Sequence, residues 1–194
     1  MMVHDWDNLA KNWENNTTNT MFVQQVFQQL KTLTSLDGKH ILDYGCGTGF
    51  LSQMMSPLAK TIVALDSSES MIEELDKKEL PNVEPVVDSL TRGLVAQHPA
   101  FRKQFDLVVA ASVCAYVDDF PQVVEIIYSL LDQGGLFIQW DWLADNALAD
   151  HHLHELNVRQ AFTQAGFTTI EVAQAFVIAT PDGPQAAFFA LGRK

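Results

Sequence analysis

Short apolar runs and helical stretches alternate through most of the chain, from residue 39 onward. Five apolar runs have the length of strands: HILDY (40–44), TIVALD (61–66), VEPVVD (83–88), FDLVVAAS (105–112) and GGLFIQW (134–140). The segments between them predict helices at FLSQMMSPLA (50–59), SESMIEELDKK (68–78) and FPQVVEIIYSLLDQ (120–133), with a loop or short helix over 90–103. Short apolar runs separated by helices are typical of a parallel sheet that is covered on both faces.

The two ends of the chain carry different patterns. Helices are predicted near residues 4–14 and 20–34, and the second has one apolar face, formed by Phe22, Val23, Val26, Phe27, Leu30 and Leu33. Another helix is predicted over HHLHELNVRQAFTQA (151–165), ended by Gly166. Two strand-like segments, near 168–179 and 185–192, flank the turn signal PDGP (181–184) and predict an antiparallel hairpin.

Composition and charge narrow the class of protein. A chain of 194 residues fits one domain, and no apolar run reaches the roughly 18 residues that would span a bilayer. The polar N-terminus lacks the apolar stretch of a signal peptide, so we expect a cytoplasmic protein with no membrane partner. The net charge of -12 argues against nucleic-acid binding, because phosphate contacts need clustered Lys and Arg. Cys46 and Cys114 form no close pair, and the sequence predicts no metal site.

The segment ILDYGCGTGFLS (41–52) places three glycines directly after the first predicted strand. Ligands of open parallel sheets bind beyond the carboxyl ends of the strands, and glycines let the backbone approach a ligand closely. A dinucleotide site favours G-x-G-x-x-G, but Phe50 stands where the third glycine would be. Asp43 would repel a pyrophosphate and could instead help to hold an ammonium group. The loop therefore favours a ligand with an amino acid end and no phosphate.

At this motif the chain resembles the class I S-adenosylmethionine-dependent methyltransferases. DYGCGTG matches their first motif, D/E-x-G-x-G-x-G, and the resemblance runs from about residue 36 onward, closest to the small-molecule branch with a minimal core. It implies an α/β fold, a Rossmann-like three-layer sandwich. Its seven-stranded, mostly parallel sheet would have an antiparallel C-terminal hairpin, with the last strand between the fifth and sixth. We expect one domain over 1–194, with a helical lid or entry segment at 1–35 and a cofactor-binding core at 36–194.

The resemblance also implies how S-adenosylmethionine is bound. Asp43 and the glycine loop would hold the methionine part, Asp66 would accept both ribose hydroxyls, and Asp88 would accept the adenine amino group. Each acid alone could be an ordinary helix cap or turn residue, but three at successive strand ends favour the cofactor. The expected cofactor-binding residues are Trp13, Asp43, Gly45, Cys46, Gly47, Asp66, Ser67, Met71, Asp88, Ser89, Leu90, Ala110 and Ala111.

Candidates for the acceptor side follow the fourth and fifth strands. Tyr116 and Asp141 are predicted catalytic residues, with Asp141 a potential general base or simply a capping acid. Trp140 and Trp142 could form an aromatic wall for an apolar or cationic acceptor, or could be ordinary packing.

Two further segments leave alternatives open. His151 is a third candidate catalytic residue, spaced three residues from His154 and four from Glu155 on the predicted helix; the alternative is a solvent-facing helix start capped by Asp150. In HDWDNLAKNWEN (4–15), Trp6 and Trp13 could close a lid over the cofactor or simply dock the first helices on the sheet.

We therefore expect methyl transfer from S-adenosylmethionine to the oxygen, nitrogen or carbon of a small molecule. The alternatives are a protein or tRNA methyltransferase, a cofactor-binding regulatory protein without turnover and a nucleotide-dependent oxidoreductase, against which Asp43 and Phe50 argue. The sequence has no Asn-Pro-Pro-Tyr motif after the fourth strand, the motif of amino-group methylation on bases or glutamine, and no cysteine cluster for arsenic chemistry. It leaves the acceptor and the oligomeric state open.

Overall fold

A seven-stranded mixed sheet forms the centre of the computed structural model, which describes residues 6–143, 154–181 and 183–194. The sheet order is β3-β2-β1-β4-β5-β7-β6. The strands are β1 His40–Tyr44, β2 Thr61–Asp66, β3 Val83–Val87, β4 Phe105–Ala111, β5 Leu131–Trp142, β6 Thr169–Thr180 and β7 Gly183–Arg193. The first five strands are parallel, and β7 runs antiparallel to both β5 and β6. This confirms the predicted fold class, including the last strand between the fifth and sixth.

Helices cover both faces of the sheet. They are α1 Trp6–Leu9, α2 Thr17–Leu33, α3 Phe50–Met55, α4 Glu69–Asp76, α5 Arg92–Gln97, α6 Phe120–Leu130 and α7 Glu155–Ala165. Short 3₁₀ helices lie at Ala10–Asn15, Pro99–Phe101 and Cys114–Tyr116. Side chains of α5, α6 and α7 pack on one face of the sheet, and those of α2, α3 and α4 pack on the other. No helix in the described parts of the chain is long and apolar enough to cross a membrane.

Local polar chemistry shifts two of the predicted helix boundaries. The Asn16 side chain accepts hydrogen bonds from Thr18 N and Asn19 N, so α2 begins at Thr17 and not near residue 20. The predicted helix over 4–14 is a single α-turn continued as a 3₁₀ helix, in a segment rich in Asn, whose side chains compete for backbone hydrogen bonds. At the other end, His154 is in an extended conformation and α7 begins after it.

The sheet order places a cleft at the carboxyl ends of the strands. The connections from β1 lead to β2 on one side, while β4 lies on its other side, so the strand order reverses between β1 and β4. In open α/β sheets the crevice outside the carboxyl ends of the strands at such a reversal is where ligands bind. The predicted glycine loop and the carboxylates Asp43, Asp66 and Asp88 all lie at these carboxyl ends.

Candidate functional site

A cavity of about 580 Å³ opens at the carboxyl ends of β1 to β4. It lies within the 300–1,000 Å³ range of small-molecule and cofactor sites. The predicted residues that line it are Trp13, Asp43, Gly45, Cys46, Gly47, Asp66, Ser67, Met71, Asp88, Ser89, Leu90, Ala111 and Tyr116. The structure does not bring Ala110 or Asp141 to the cavity wall, and His151 lies outside the described residues.

The three glycines of the loop meet different surroundings. A Cβ on Gly45 would lie 2.4 Å from Val113 Cγ2, and one on Gly49 would lie 2.2 Å from Leu75 Cδ1. Both positions therefore require glycine because of close packing. A Cβ on Gly47 would meet only Met71 Sδ at 3.9 Å and Trp13 Nε1 at 4.0 Å, and its φ of +54° favours glycine. Gly47 is thus the position where bare backbone faces the cavity.

Asp66, at the end of β2, holds the loop in place. Its Oδ2 accepts a hydrogen bond from Gly47 N at 2.8 Å, and its Oδ1 accepts one from Ser68 N at 2.9 Å. Burial raises the pKa of Asp66, and these backbone hydrogen bonds act in the opposite direction. Each carboxylate oxygen has a second acceptor site, so the group can anchor the loop and still accept a ligand hydroxyl. Sequence reasoning missed this anchoring role.

Asp43, at β1, is nearly enclosed at 1% exposure and borders the cavity. Its Oδ2 accepts a hydrogen bond from Ser52 Oγ at 2.7 Å. Burial raises the pKa of Asp43 to about 7, and the neighbouring Asp66 carboxylate adds to this while the Ser52 hydrogen bond opposes it. A cation beside Asp43 would favour the ionised form and lower this pKa.

Asp88 follows β3 and is exposed at the cavity rim. Its own N–H donates to Asp66 O at 3.0 Å, which fixes the backbone at the strand end, and its Oδ1 accepts from Ser89 N at 2.7 Å. The remaining acceptor positions of this carboxylate are available to a ligand amino group.

The N-terminal segment crosses the cavity mouth and is held by two carboxylates that sequence reasoning missed. Asp7 Oδ1 accepts from Ser68 Oγ at 2.5 Å and from Ser70 N at 3.3 Å, at the start of α4. Glu14 Oε1 accepts from Thr48 Oγ1 at 2.6 Å and pairs with Lys78 Nζ at 2.7 Å. These contacts bridge residues 34 to 64 positions apart, so no local pattern could have revealed them.

Aromatic rings close the same mouth. The Trp6 ring lies edge-on to Trp13 with centroids 5.9 Å apart, and edge-on to Tyr116 at 5.1 Å. Tyr116 is 39% exposed, and burial of the rest of the ring raises its pKa. Trp6 and Trp13 both line the cavity, a position that suits either of the two roles expected for them, closing a lid over the cofactor or docking the first helices.

Of the two tryptophans predicted to form an aromatic wall, one lines the cavity and the other is buried in the core. Trp142 lines the cavity and packs on Phe22 with centroids 4.6 Å apart. Trp140 is 0% exposed, and its Nε1 donates to Gln29 Oε1 of α2 at 2.8 Å. Trp140 therefore belongs to the core, because it lies one pleat below the strand end.

Asp141 and Ala110 lie on the opposite face of the sheet from this wall. Ala110 packs in the core under α6 and α7, because successive side chains of a strand alternate between faces and Ala111 takes the cavity side. Asp141 is 1% exposed, and its Oδ1 accepts from Ala115 N at 3.4 Å. Burial raises the pKa of Asp141 to about 8. A mostly protonated group outside the cavity does not suit the predicted general-base role.

The His-rich spacing also changes in the structure. His154 is extended and α7 begins at Glu155, so His154 is not part of the predicted helix, and the predicted spacing of His154 and Glu155 from His151 involves a residue outside the described ones. In residues 6–143, 154–181 and 183–194, no group of three or more His, Cys, Asp or Glu side chains is arranged to hold a metal ion.

Comparison with known proteins gives this geometry a family. Residues 42–137 match a sequence family described as a methyltransferase domain. The ubiquinone biosynthesis O-methyltransferase of Pseudomonas entomophila is 33% identical over 103 residues, which cover 52% of this chain and 43% of the relative. The chain thus spans less than half the length of that curated relative.

Solved structures share the fold over nearly the whole chain. The DhpI-SAM-HEP complex superposes with a TM-score of 0.74 at 20% identity, over 97% of this chain and 94% of that one. The N-methyltransferase NodS from Bradyrhizobium japonicum, in complex with S-adenosylhomocysteine, gives 0.71 at 17% identity, over 94% and 90%. Residues 42–137, which contain the glycine loop and the carboxylates Asp43, Asp66 and Asp88, therefore belong to the methyltransferase-domain family, and the solved methyltransferase structures share the fold of the chain.

Proposed function

We propose that this protein transfers a methyl group from S-adenosylmethionine to the oxygen, nitrogen or carbon of a small molecule. The observation that carries the proposal is that Asp43, Asp66 and Asp88, from three adjacent strands, border one cavity together with the open backbone of Gly47. The named relatives and neighbours, an O-methyltransferase and an N-methyltransferase, support this class of reaction.

The residues at the cavity fit the cofactor part by part. The free acceptor positions of Asp66 suit two vicinal ribose hydroxyls, since each oxygen already bonds one backbone N–H and can accept once more. Asp43 suits an ammonium group, which would compensate the cost of its burial. Asp88 suits the adenine amino group, with Met71 and Leu90 as apolar neighbours.

S-adenosylmethionine supplies a methyl group on a positively charged sulfur. When bound, it would give this methyl group to an electron pair of the acceptor atom and leave as the neutral thioether S-adenosylhomocysteine, with the acceptor's proton released to bulk solvent. The protein's contribution is to hold the acceptor in line and to exclude water, and positioning of this kind lowers barriers by several kcal/mol without a dedicated base.

The N-terminal segment is proposed to act as a lid over the cofactor, with residues 36–194 as the cofactor-binding core. Its support is a pair of anchors: Asp7 accepts from Ser68 at the start of α4, and Glu14 accepts from Thr48 of the glycine loop and pairs with Lys78 just after α4. Such a closure removes water from the reaction space.

The test has two arms. Calorimetry should show one S-adenosylhomocysteine bound per chain and no response to NAD; binding of NAD alone would overturn the proposal. Transfer of labelled methyl groups to a panel of small phenols and amines, with tRNA and protein as parallel substrates, then measures turnover. Labelling of tRNA or protein alone would favour the alternative acceptors, and binding without any transfer would favour a regulatory role.

A further inference from the structure

Part of the cavity wall is formed by residues that are not proposed to hold the cofactor. They are Asn19, Phe22 and Val23 of α2, Trp142 at the end of β5, and Tyr116. We call this part the acceptor lobe. Four of its five side chains are apolar or aromatic, and the ring of Trp142 is fixed by its packing on Phe22.

The charges around the whole cavity have one sign. Every charged side chain that lines it in the described chain is an aspartate: Asp43, Asp66, Asp88, Asp118 and Asp119. Asp119 caps α6 by accepting from Gln122 N at 3.0 Å, and Asp118, two residues after Tyr116 in the chain, is exposed. Two carboxylates of the cavity wall thus remain after three are assigned to the cofactor.

No basic side chain balances them. None of the described residues that line the cavity is Lys, Arg or His. The two longer undescribed stretches, 1–5 and 144–153, read MMVHD and ADNALADHHL and contain neither Lys nor Arg. Lys78, near the cofactor loop, is paired with Glu14. An acceptor carboxylate or phosphate would therefore face carboxylates of like charge with no described Lys, Arg or His in the cavity wall, which weakens its binding relative to a neutral or cationic acceptor.

On this basis, and resting on the proposed methyl transfer, we infer that the acceptor is an apolar or aromatic molecule of zero or positive charge. The aromatic rings of the acceptor lobe favour the same class, because their faces bury apolar surface and attract cations. Carboxylate- and phosphate-bearing acceptors should bind more weakly than neutral or cationic ones of the same shape.

Three probes that share one ring test this inference: 2-phenylethylamine, 2-phenylethanol and phenylacetate. Their dissociation constants are measured by ligand-detected NMR on protein saturated with S-adenosylhomocysteine. The amine and the alcohol should each bind at least about tenfold more tightly than the carboxylate, corresponding to about 1.4 kcal/mol. Phenylacetate binding as tightly as the other two, or no binding by any of the three, would overturn the inference.

A charge variant gives a second, independent reading. Gln122→Lys puts a cation at the cavity wall, and Gln164→Lys makes the same change on the exposed surface of α7, away from the cavity. Gln122→Lys should tighten phenylacetate binding about fivefold or more and weaken 2-phenylethylamine binding, following the sign of the added charge. Equal effects of the two variants would contradict a charge-selective lobe. Failure of S-adenosylhomocysteine itself to bind would instead reject the methyl-transfer proposal.

Discussion

Replacing Asp141 with Asn should change how the stability of the protein depends on pH. Asp141 lies beneath the turn Cys114–Tyr116, 1% exposed, with Oδ1 accepting from Ala115 N and Oδ2 without a hydrogen-bond partner among the described residues. Burial raises its pKa from the usual 3.8 to about 8. Near pH 7 the folded protein therefore holds this carboxyl group mostly protonated, whereas the unfolded chain ionises it.

The sign follows from proton binding in the two states. Between about pH 4 and pH 8 the unfolded chain binds fewer protons at this site than the folded protein, so the free energy of unfolding falls as pH rises. One such group changes stability by about 1.4 kcal/mol per pH unit. From pH 5 to pH 8 the wild type should lose about 4 kcal/mol relative to Asp141→Asn, which has nothing to ionise. Asp43 and Asp66 are present in both proteins, so their contributions cancel in the difference.

Urea unfolding at pH 5, 6, 7 and 8, followed by far-ultraviolet circular dichroism, measures this difference without any ligand. Asp37→Asn is the matched control, because Asp37 is exposed and its variant should keep a constant difference from wild type. A difference between wild type and Asp141→Asn that stays constant across this range would refute the reasoning and place the Asp141 pKa near its ordinary value.

Three further predictions concern the cavity. S-adenosylhomocysteine should bind more tightly as pH rises from 6 to 8 and level off above, because burial raises the pKa of Asp43 to about 7 and only its ionised form attracts an ammonium group. An affinity that stays flat in calorimetry over this range would contradict the assignment. Gly47→Ala should weaken that binding about tenfold or more at a stability cost of only about 1 kcal/mol, whereas Gly49→Ala should chiefly lower the melting temperature, since its Cβ would overlap Leu75. Glu14→Gln should speed release of the ligand several-fold in stopped-flow fluorescence, because it weakens the anchor on Thr48 and Lys78, while the exposed Glu84→Gln should not; equal release rates would reject the lid.

The fold and most of the cofactor side could be predicted from the sequence because the signals are local. Apolar runs determine where strands lie, and residues at or just after the end of each run must lie at the carboxyl ends of the strands. The pattern alone therefore places Asp43, Asp66 and Asp88 there. The glycine spacing predicts the loop. Only the packing in the structure shows that Gly45 and Gly49 are glycines because of close contacts, whereas Gly47 is the one that faces the cavity.

The errors come from geometry that a strand-end argument cannot resolve. Strand pleating decides that Ala111 borders the cavity and Ala110 does not, and that Trp142 lies at the rim while Trp140 is core. Asp141 looked like a rim residue for the same reason. The anchors Asp7 and Glu14 depend on tertiary contacts between polar segments, which leave no periodic trace in the sequence.

The most direct test of the account is the affinity of S-adenosylhomocysteine for Asp66→Asn, measured by calorimetry beside wild type and the exposed α4 variant Asp76→Asn. The amide keeps one oxygen for the loop but replaces the other acceptor and removes the charge, so the dissociation constant should rise about tenfold or more, while Asp76→Asn matches wild type. Undiminished affinity in Asp66→Asn would contradict the claim that strand-end carboxylates hold the cofactor.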